Sequence, residues 1–404
     1  MHTMSNQPLS DLTVVELAQG ISGPYCTKML ADMGAEVIKV EEPGSGDFLR
    51  RQGPFLDDVP DPERSGEFLY LNTNKLGITL NIKTRRGRKI LGELLSQADV
   101  FVESYPRQMM EELGLHYEAV KKLNPKLVMT SITPFGHTGP YRDFKAYDVS
   151  ITAAGAMSYS TGSPDREPLS MPASQGSYYS GANAAAATML ALYVRDVKGI
   201  GQHVDLSQIA CFGMSFAIAG GVAIRGEAYA QRFGHRLGGV YPYTVLPCKD
   251  GYFRLCTIEE SMWQRVLEMM GNPEWGKDSR FADTSSRFQH ADELDALMGP
   301  WLMSHTKAEL YKLCRDKRVP GTPVQTMEEV VNNEHLNARE FFVKIEHPEA
   351  GKLRYPGAPC KYSTLRWEVR RPAPRLGQHN EEVYCGRLGY TEQDLADQRR
   401  AGVI

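Results

Sequence analysis

No run of about 18 apolar residues occurs in the 404-residue sequence, which argues against a membrane-spanning helix. Met1–Leu12 is polar and lacks the charged, apolar and small-residue zones of a secretory leader, so a cytoplasmic location is expected. The seven cysteines (Cys26, Cys211, Cys248, Cys256, Cys314, Cys360 and Cys385) include no Cys-x-x-Cys, and read as reduced thiols rather than a disulfide frame or zinc site. Histidines are equally scattered: none of the ten forms His-x-x-x-His or His-Glu-x-x-His, so no metal site is expected. Charge of one sign is also lacking. A net charge of −3 gives no global field to draw nucleic acid or anionic membrane, and an anionic ligand must be caught by a local cluster. No internal repeat or low-complexity tract is visible.

What is present is globular: 42% hydrophobic and 24% charged residues, in a chain long enough for two domains. The first third alternates β-rich runs with helix-period segments. Strands are expected at Thr13–Leu17, Glu36–Glu41, Ile78–Ile82, Val100–Glu103 and Leu127–Ile132. Helices are expected over Tyr25–Met33, Thr84–Gln97 and Met109–Leu123. Such alternation predicts an α/β fold with a parallel sheet covered on both faces. Ligands of such sheets sit beyond the carboxyl ends of the strands, which directs attention to Gln19–Gly23, Glu42–Asp47, Ser104–Arg107 and Thr133–Tyr141.

An Ala-rich stretch, Gly176–Val194, predicts a long buried helix, followed by a strand at His203–Ser207. Beyond it the pattern loosens. Gly-rich pairs (Gly220–Gly221, Gly238–Gly239), a hairpin over Thr244–Leu255 turning at Asp250–Gly251, and helices near Met262–Met270 and Lys307–Asp316 predict a smaller second domain. The expected division is 1–211 for the N-terminal part of a large domain, 212–330 for a small one, and 331–404 for a segment returning to the large domain. The tail is basic over Arg366–Arg375 and helical over Glu392–Arg400.

Gln19-Gly20-Ile21-Ser22-Gly23-Pro24 joins a strand to a helix start and could present backbone N–H groups to a phosphate or a thioester carbonyl, although it is not Gly-x-Gly-x-x-Gly. Thr84-Arg85-Arg86-Gly87-Arg88-Lys89 is basic enough to meet a phosphate, or to be a solvated helix face. Lys83 and Lys145, beside expected strand ends or loops, are better placed for anions than that run.

The pieces gain specificity from their order. Val15-Glu16-Leu17, Gly23-Pro24, Leu30-Ala31-Asp32-Met33-Gly34-Ala35-Glu36-Val37-Ile38-Lys39-Val40-Glu41 and Pro43-Gly44-Ser45-Gly46-Asp47 come first. Asn74-Lys75, Ala98-Asp99-Val100-Phe101-Val102-Glu103, Phe135-Gly136-His137-Thr138-Gly139-Pro140, Tyr147-Asp148 and Gly199-Ile200-Gly201-Gln202 follow. This succession resembles the family III CoA-transferases, of the formyl-CoA transferase and carnitine CoA-transferase kind. The resemblance is specific over the first half of the chain and looser through Pro320-Gly321-Thr322-Pro323 to the end. It implies a large Rossmann-like domain built from both chain ends, a small α+β domain between them, and two subunits interlocked like chain links. It implies no resident cofactor, with CoA or acyl-CoA as substrate over the Ile21 loop and contacts near Leu80, Lys83, Ser104, Tyr105 and Lys145. Two arginines that contact the nucleotide in well-known members fall at Glu42 and Glu112.

In that family an aspartate attacks the acyl-CoA, becomes an aspartyl-CoA thioester and passes CoA to an incoming carboxylate. Its spacing, four residues before a glycine and eighteen before an arginine, lands on Ser177, counted from Gly181 and from Arg195. No Asp or Glu lies between Glu167 and Arg195. A serine hydroxyl can take an acyl group but has no carbonyl with which to carry CoA. Ser177 is also a natural helix N-cap. Asp148 follows Tyr147 where the transferases keep an acidic residue that orients the site. The racemase branch would instead need a histidine there and an aspartate at 177, and both are absent. The expectation is therefore a subunit of a heterodimeric or heterotetrameric CoA-transferase, moving CoA from an acyl-CoA such as succinyl-CoA to a carboxylic acid. The sequence does not identify the acceptor, for which the resemblance allows (R)-benzylsuccinate among other acids, and a paralogous chain would supply the aspartate. The alternatives are a homomeric acyl-CoA enzyme of different mechanism and a non-catalytic acyl-CoA binder. Tyr159, Tyr241 and Tyr243 would permit an aromatic acid in aromatic or other organic-acid breakdown.

Overall fold

The computed structural model describes residues 7–214 and 231–404; the Gly220–Gly221 pair lies outside the described residues. Strands β1 (Thr13–Leu17), β2 (Glu36–Glu41), β3 (Lys75–Thr79), β4 (Val100–Glu103), β5 (Val128–Thr133) and β6 (His203–Ser207) form one sheet in the order β3-β2-β1-β4-β5-β6. Every neighbouring pair is parallel. Parallel strands need crossovers. Helices α1 (Ser22–Asp32), α2 (Gly66–Leu71), α3 (Arg85–Leu95), α4 (Arg107–Glu112), α5 (Tyr117–Leu123), α6 (Asp148–Ala154) and α7 (Gln175–Lys198) lie between them, and α8 (Gln208–Gly213) follows β6.

Successive strand residues point to opposite faces, and each face has its own core. Val15, Leu17, Ile38, Val40, Ile78 and Phe101 pack with Ile90, Leu91, Leu94 and Leu95 of α3, and with Val383, Tyr384 and Leu395 from the chain's end. Val14, Val37, Val100, Val102 and Val128 pack with Cys26 and Leu30 of α1 and with Ala184, Ala185, Ala191 and Leu192 of α7. Small residues on α7 let it approach α1 closely. A Cβ at Gly181 would stand 2.6 Å from the Ser22 carbonyl oxygen.

Three expectations are corrected. The third strand begins at Lys75 rather than Ile78, because the Lys75 ammonium is neutralised inside the sheet by Glu16 at 2.8 Å and does not need a solvated flank. The segment Met109–Leu123 is two helices, divided at Gly114, which takes φ +71°. Helix α7 buries one face only: Leu190, Tyr193 and Val197 are exposed on the other.

Among the described residues the first unit runs to Gly155, resumes at Met171 and returns over Ala338–Ile404, while the second takes Ala156–Ser170 and a stretch ending at Asn337. The second unit carries the hairpin β7 (Tyr243–Cys248) and β8 (Gly251–Cys256) with the short β9 (Gly321–Pro323), over a core of Trp263, Val266, Leu294, Met298 and Leu310. In the returning segment, β10 (Phe342–His347) and β11 (Gly351–Pro356) pair antiparallel and set Ile345 and Tyr355 against Leu49 and Phe68 of the first unit.

Candidate active site

Strand order reverses between β1 and β4, the point at which doubly wound sheets open a crevice at their carboxyl edge. The loops that leave these two strands are tied together there. Gln19 donates its backbone N–H to Ser104 Oγ at 3.1 Å and its side-chain amide to the Tyr105 hydroxyl at 3.0 Å.

Glu16, Lys39, Glu41, Asp47, Arg50 and Lys75 lie beneath this loop, buried and paired with one another. Lys39 Nζ donates to Glu16 Oε1 at 2.8 Å, to the Ala18 carbonyl at 3.0 Å and to Asp47 Oδ2 at 3.0 Å. Lys75 Nζ pairs with Glu16 Oε2 at 2.8 Å and donates to the Pro24 carbonyl at 2.8 Å. Asp47 Oδ1 accepts from the Gly20 N–H at 3.1 Å, and Arg50 grips both Glu41 oxygens at 2.8 Å. Burial alone would raise the Glu16 carboxyl, but Lys39 and Lys75 overcome it and hold it at about 2. Lys39 also loses solvation, yet Glu16, Asp47 and Glu41 push it above its ordinary value. Burial wins at Lys75, which Glu16 alone supports, and takes it down to about 8. Buried ions are tolerated only when their hydrogen-bonding capacity is met, so this lattice fixes the loop's position through Ala18, Gly20 and Pro24.

Two cavities share Gln19 as a wall. One, of about 400 Å³, is lined by residues that include Gly20, Ile21, Ser22, Phe48, Ser104, Tyr147, Asp148, Ser177 and Gln208. The other, of about 250 Å³, is lined by Val40, Glu42, Leu80, Asn81, Lys83, Tyr105 and Met109 among others. The expected contacts divide between them: Ile21 and Ser104 face the first, Leu80, Lys83 and Tyr105 the second. Lys145 is exposed and lines neither. Glu42 holds Lys83 Nζ at 2.6 Å, and that hydrogen bond lowers its carboxyl. An incoming phosphate group would have to compete with it for Lys83.

The N-cap of α7 is Ser174 rather than Ser177, which stands within the first turn, and Asp148 opens α6. Asp148 Oδ1 accepts from the Ser177 N–H at 2.7 Å and from its hydroxyl at 2.8 Å. Among the described residues, Asp148 is the only carboxylate lining the larger cavity. Sequence reasoning did not join these two residues as a bonded pair, since no local signal links positions 29 apart.

It also missed a second group behind the site. Glu103, fully buried at the end of β4, accepts from the Tyr105 N–H at 2.9 Å, while its Oε1 faces His137 Nε2 at 3.9 Å. Burial raises its carboxyl to about 7, and burial lowers His137. Neither facing atom has a hydrogen-bond partner among the described residues.

The doubly wound topology, with two cavities at the switch point, defines an α/β fold whose ligand crevice opens at the carboxyl edge between its first and fourth strands. The chain belongs to CoA-transferase family III, which matches residues 9–380. It is 33% identical to the succinyl-CoA–D-citramalate CoA-transferase of Chloroflexus aurantiacus over 96% of both chains. It is 32% identical to the succinate–glutarate CoA-transferase of Agrobacterium fabrum over 93% of this chain and 94% of the relative. The crystal structure of a CAIB/BAIF family protein from Brucella suis superposes with a TM-score of 0.85 at 30% identity, covering 95% of this chain and all of that one. The chain is thus a CoA-transferase, with CoA thioesters as substrates and no permanent cofactor. No helix among the described residues is long and apolar enough to cross a membrane.

Proposed function

We propose that this chain transfers CoA from an acyl-CoA, with succinyl-CoA as a donor, to a second carboxylic acid, acting in the cytoplasm. The observation that carries this reading is the pair of cavities meeting at Gln19, one bounded by Lys83 and Tyr105, the other by the Ile21 loop and a carboxylate, Asp148. In this reading the nucleotide end of CoA takes the cavity of Leu80, Lys83 and Tyr105. The thioester passes Gln19 to lie against Ile21, Ser104 and Asp148, and Lys145 meets outlying phosphate charge. Succinyl-CoA is supported by the activities named for the Chloroflexus and Agrobacterium relatives, whose acceptors, citramalate and glutarate, suggest a dicarboxylic acid. (R)-Benzylsuccinate, a dicarboxylate with an aromatic arm, remains a candidate acceptor.

A second reading makes the chain one member of a pair interlocked with a paralogous subunit that brings the nucleophilic aspartate. What favours it is the side chain at 177, a hydroxyl without the carbonyl needed to carry CoA. One experiment separates the readings. The purified chain is mixed with succinyl-CoA and citramalate, glutarate, oxalate or (R)-benzylsuccinate, alone and co-expressed with a paralogue that has the aspartate, and new acyl-CoA is quantified by chromatography. Product from the chain alone supports the first reading, and product only from the pair supports the second. CoA binding without product in every combination would reduce the chain to a binder.

A further inference from the structure

CoA transfer between two carboxylic acids is energetically neutral only if the thioester is never hydrolysed, which calls for an enzyme acyl group that can hold CoA between the two halves of the reaction. Only a carboxylate can become that acyl group. The larger cavity has one, Asp148, and the hydrogen bonds it makes are one-sided. Oδ1 takes both the N–H and the hydroxyl of Ser177, while Oδ2 has no hydrogen-bond partner among the described residues. Ser177 is itself fixed by the start of the 24-residue α7, its N–H shared with the Ser174 carbonyl at 3.0 Å, so it holds the carboxylate in one orientation. Donors on Oδ1 also favour charge on that oxygen, as they would on the tetrahedral adduct formed when the Asp148 carbonyl is attacked.

We propose that Asp148 is the catalytic carboxylate of this chain and Ser177 its positioning residue. The proposal rests on the CoA-transferase reading but dispenses with a partner's aspartate. Asp148 Oδ2 attacks the acyl-CoA carbonyl, the C–S bond breaks, and a mixed anhydride and CoA thiolate form. The thiolate attacks the Asp148 carbonyl of the anhydride, the donor leaves as its carboxylate, and Asp148 carries CoA as a thioester. The acceptor carboxylate then attacks that thioester, giving a second anhydride and thiolate. Attack of the thiolate on the acceptor carbonyl yields the new acyl-CoA and restores the Asp148 carboxylate. No proton, oxidant or water is consumed.

The test is interception of the aspartyl thioester. The chain expressed alone is incubated with succinyl-CoA without acceptor and treated with sodium borohydride, which reduces an aspartyl thioester or anhydride to homoserine. Trypsin then places Asp148 and Ser177 in different peptides, 146–166 and 167–195. The proposal expects homoserine at 148, lost in Asp148→Asn, whose side-chain oxygen can still accept from Ser177. It expects Ser177→Ala to label more slowly at the same residue, by about a hundredfold or more if one donor to the developing oxyanion is worth what such donors usually are. An acyl group on the 167–195 peptide, or homoserine in a co-expressed paralogue with 148 untouched, overturns it. So does an unlabelled chain that binds CoA, whereas a chain that fails to bind CoA at all brings down the transferase reading itself.

Discussion

Glu103 lies buried at the end of β4, its Oε1 facing His137 Nε2 at 3.9 Å, and burial lifts its carboxyl to about 7, whereas a solvated glutamate titrates near 4.3. Between those two values the native state binds the proton that the unfolded chain releases. Stability attributable to this group is therefore greatest below about pH 4.3, falls as pH rises to about 7 and stays low above it. Glu103→Gln keeps an acceptor for the Tyr105 N–H and removes the titration. The variant should unfold at higher temperature than the parent at pH 8, by an amount equivalent to about 3–4 kcal/mol, and the two should converge at pH 4.5. A difference that does not change between pH 4.5 and pH 8 would show that the Glu103 carboxyl is not raised in the native state. Ser177 poses the converse problem. Its side chain was legible as a departure from the family's aspartate, but its meaning was not, because Asp148 reaches it only after the chain has passed through 156–170, which fold with the other unit.

Helix packing explains how the site's loop is held from above as the Lys39 lattice holds it from below. Gly181 of α7 faces the first turn of α1, where a methyl group would meet the Ser22 carbonyl oxygen at 2.6 Å and Tyr25 Cβ at 3.2 Å. Gly181→Ala should cost about 1–3 kcal/mol in denaturant unfolding, despite the better helix propensity of alanine, and should weaken CoA binding by displacing Ile21 and Ser22. Unchanged stability and affinity would mean that α1 is free to move aside. Strands β1, β2, β4 and β6 and the helix Lys307–Asp316 could be read to the residue from periodicity and turn signals. Strand β3 could not, because a lysine at a strand's first residue signals solvent unless its carboxylate is known, and Glu16 lies 59 residues earlier. The break at Gly114 was present in the sequence, but the apolar spacing on either side ran through it. Charged residues inside β1 and β2 marked the family in sequence. Their role, as the buried lattice under the loop, needed the three-dimensional pairing.

At the scale of the whole molecule the account rests on division of labour along the sheet's carboxyl edge. In the proposed reading the cavity bounded by the β1 loop and the β3 end takes the nucleotide portion of CoA, and the starts of α6 and α7 hold Asp148 at the cavity that takes the thioester portion. The most direct measurement is steady-state transfer by the chain expressed alone, with succinyl-CoA and a dicarboxylic acceptor, for the parent and Asp148→Asn, with CoA affinity measured by calorimetry on both. The account predicts transfer by the parent and a loss of at least about a thousandfold in kcat for the variant, at a CoA Kd changed by no more than about threefold. Tight CoA binding with no transfer by the parent, or a variant that transfers as fast as the parent, would contradict it.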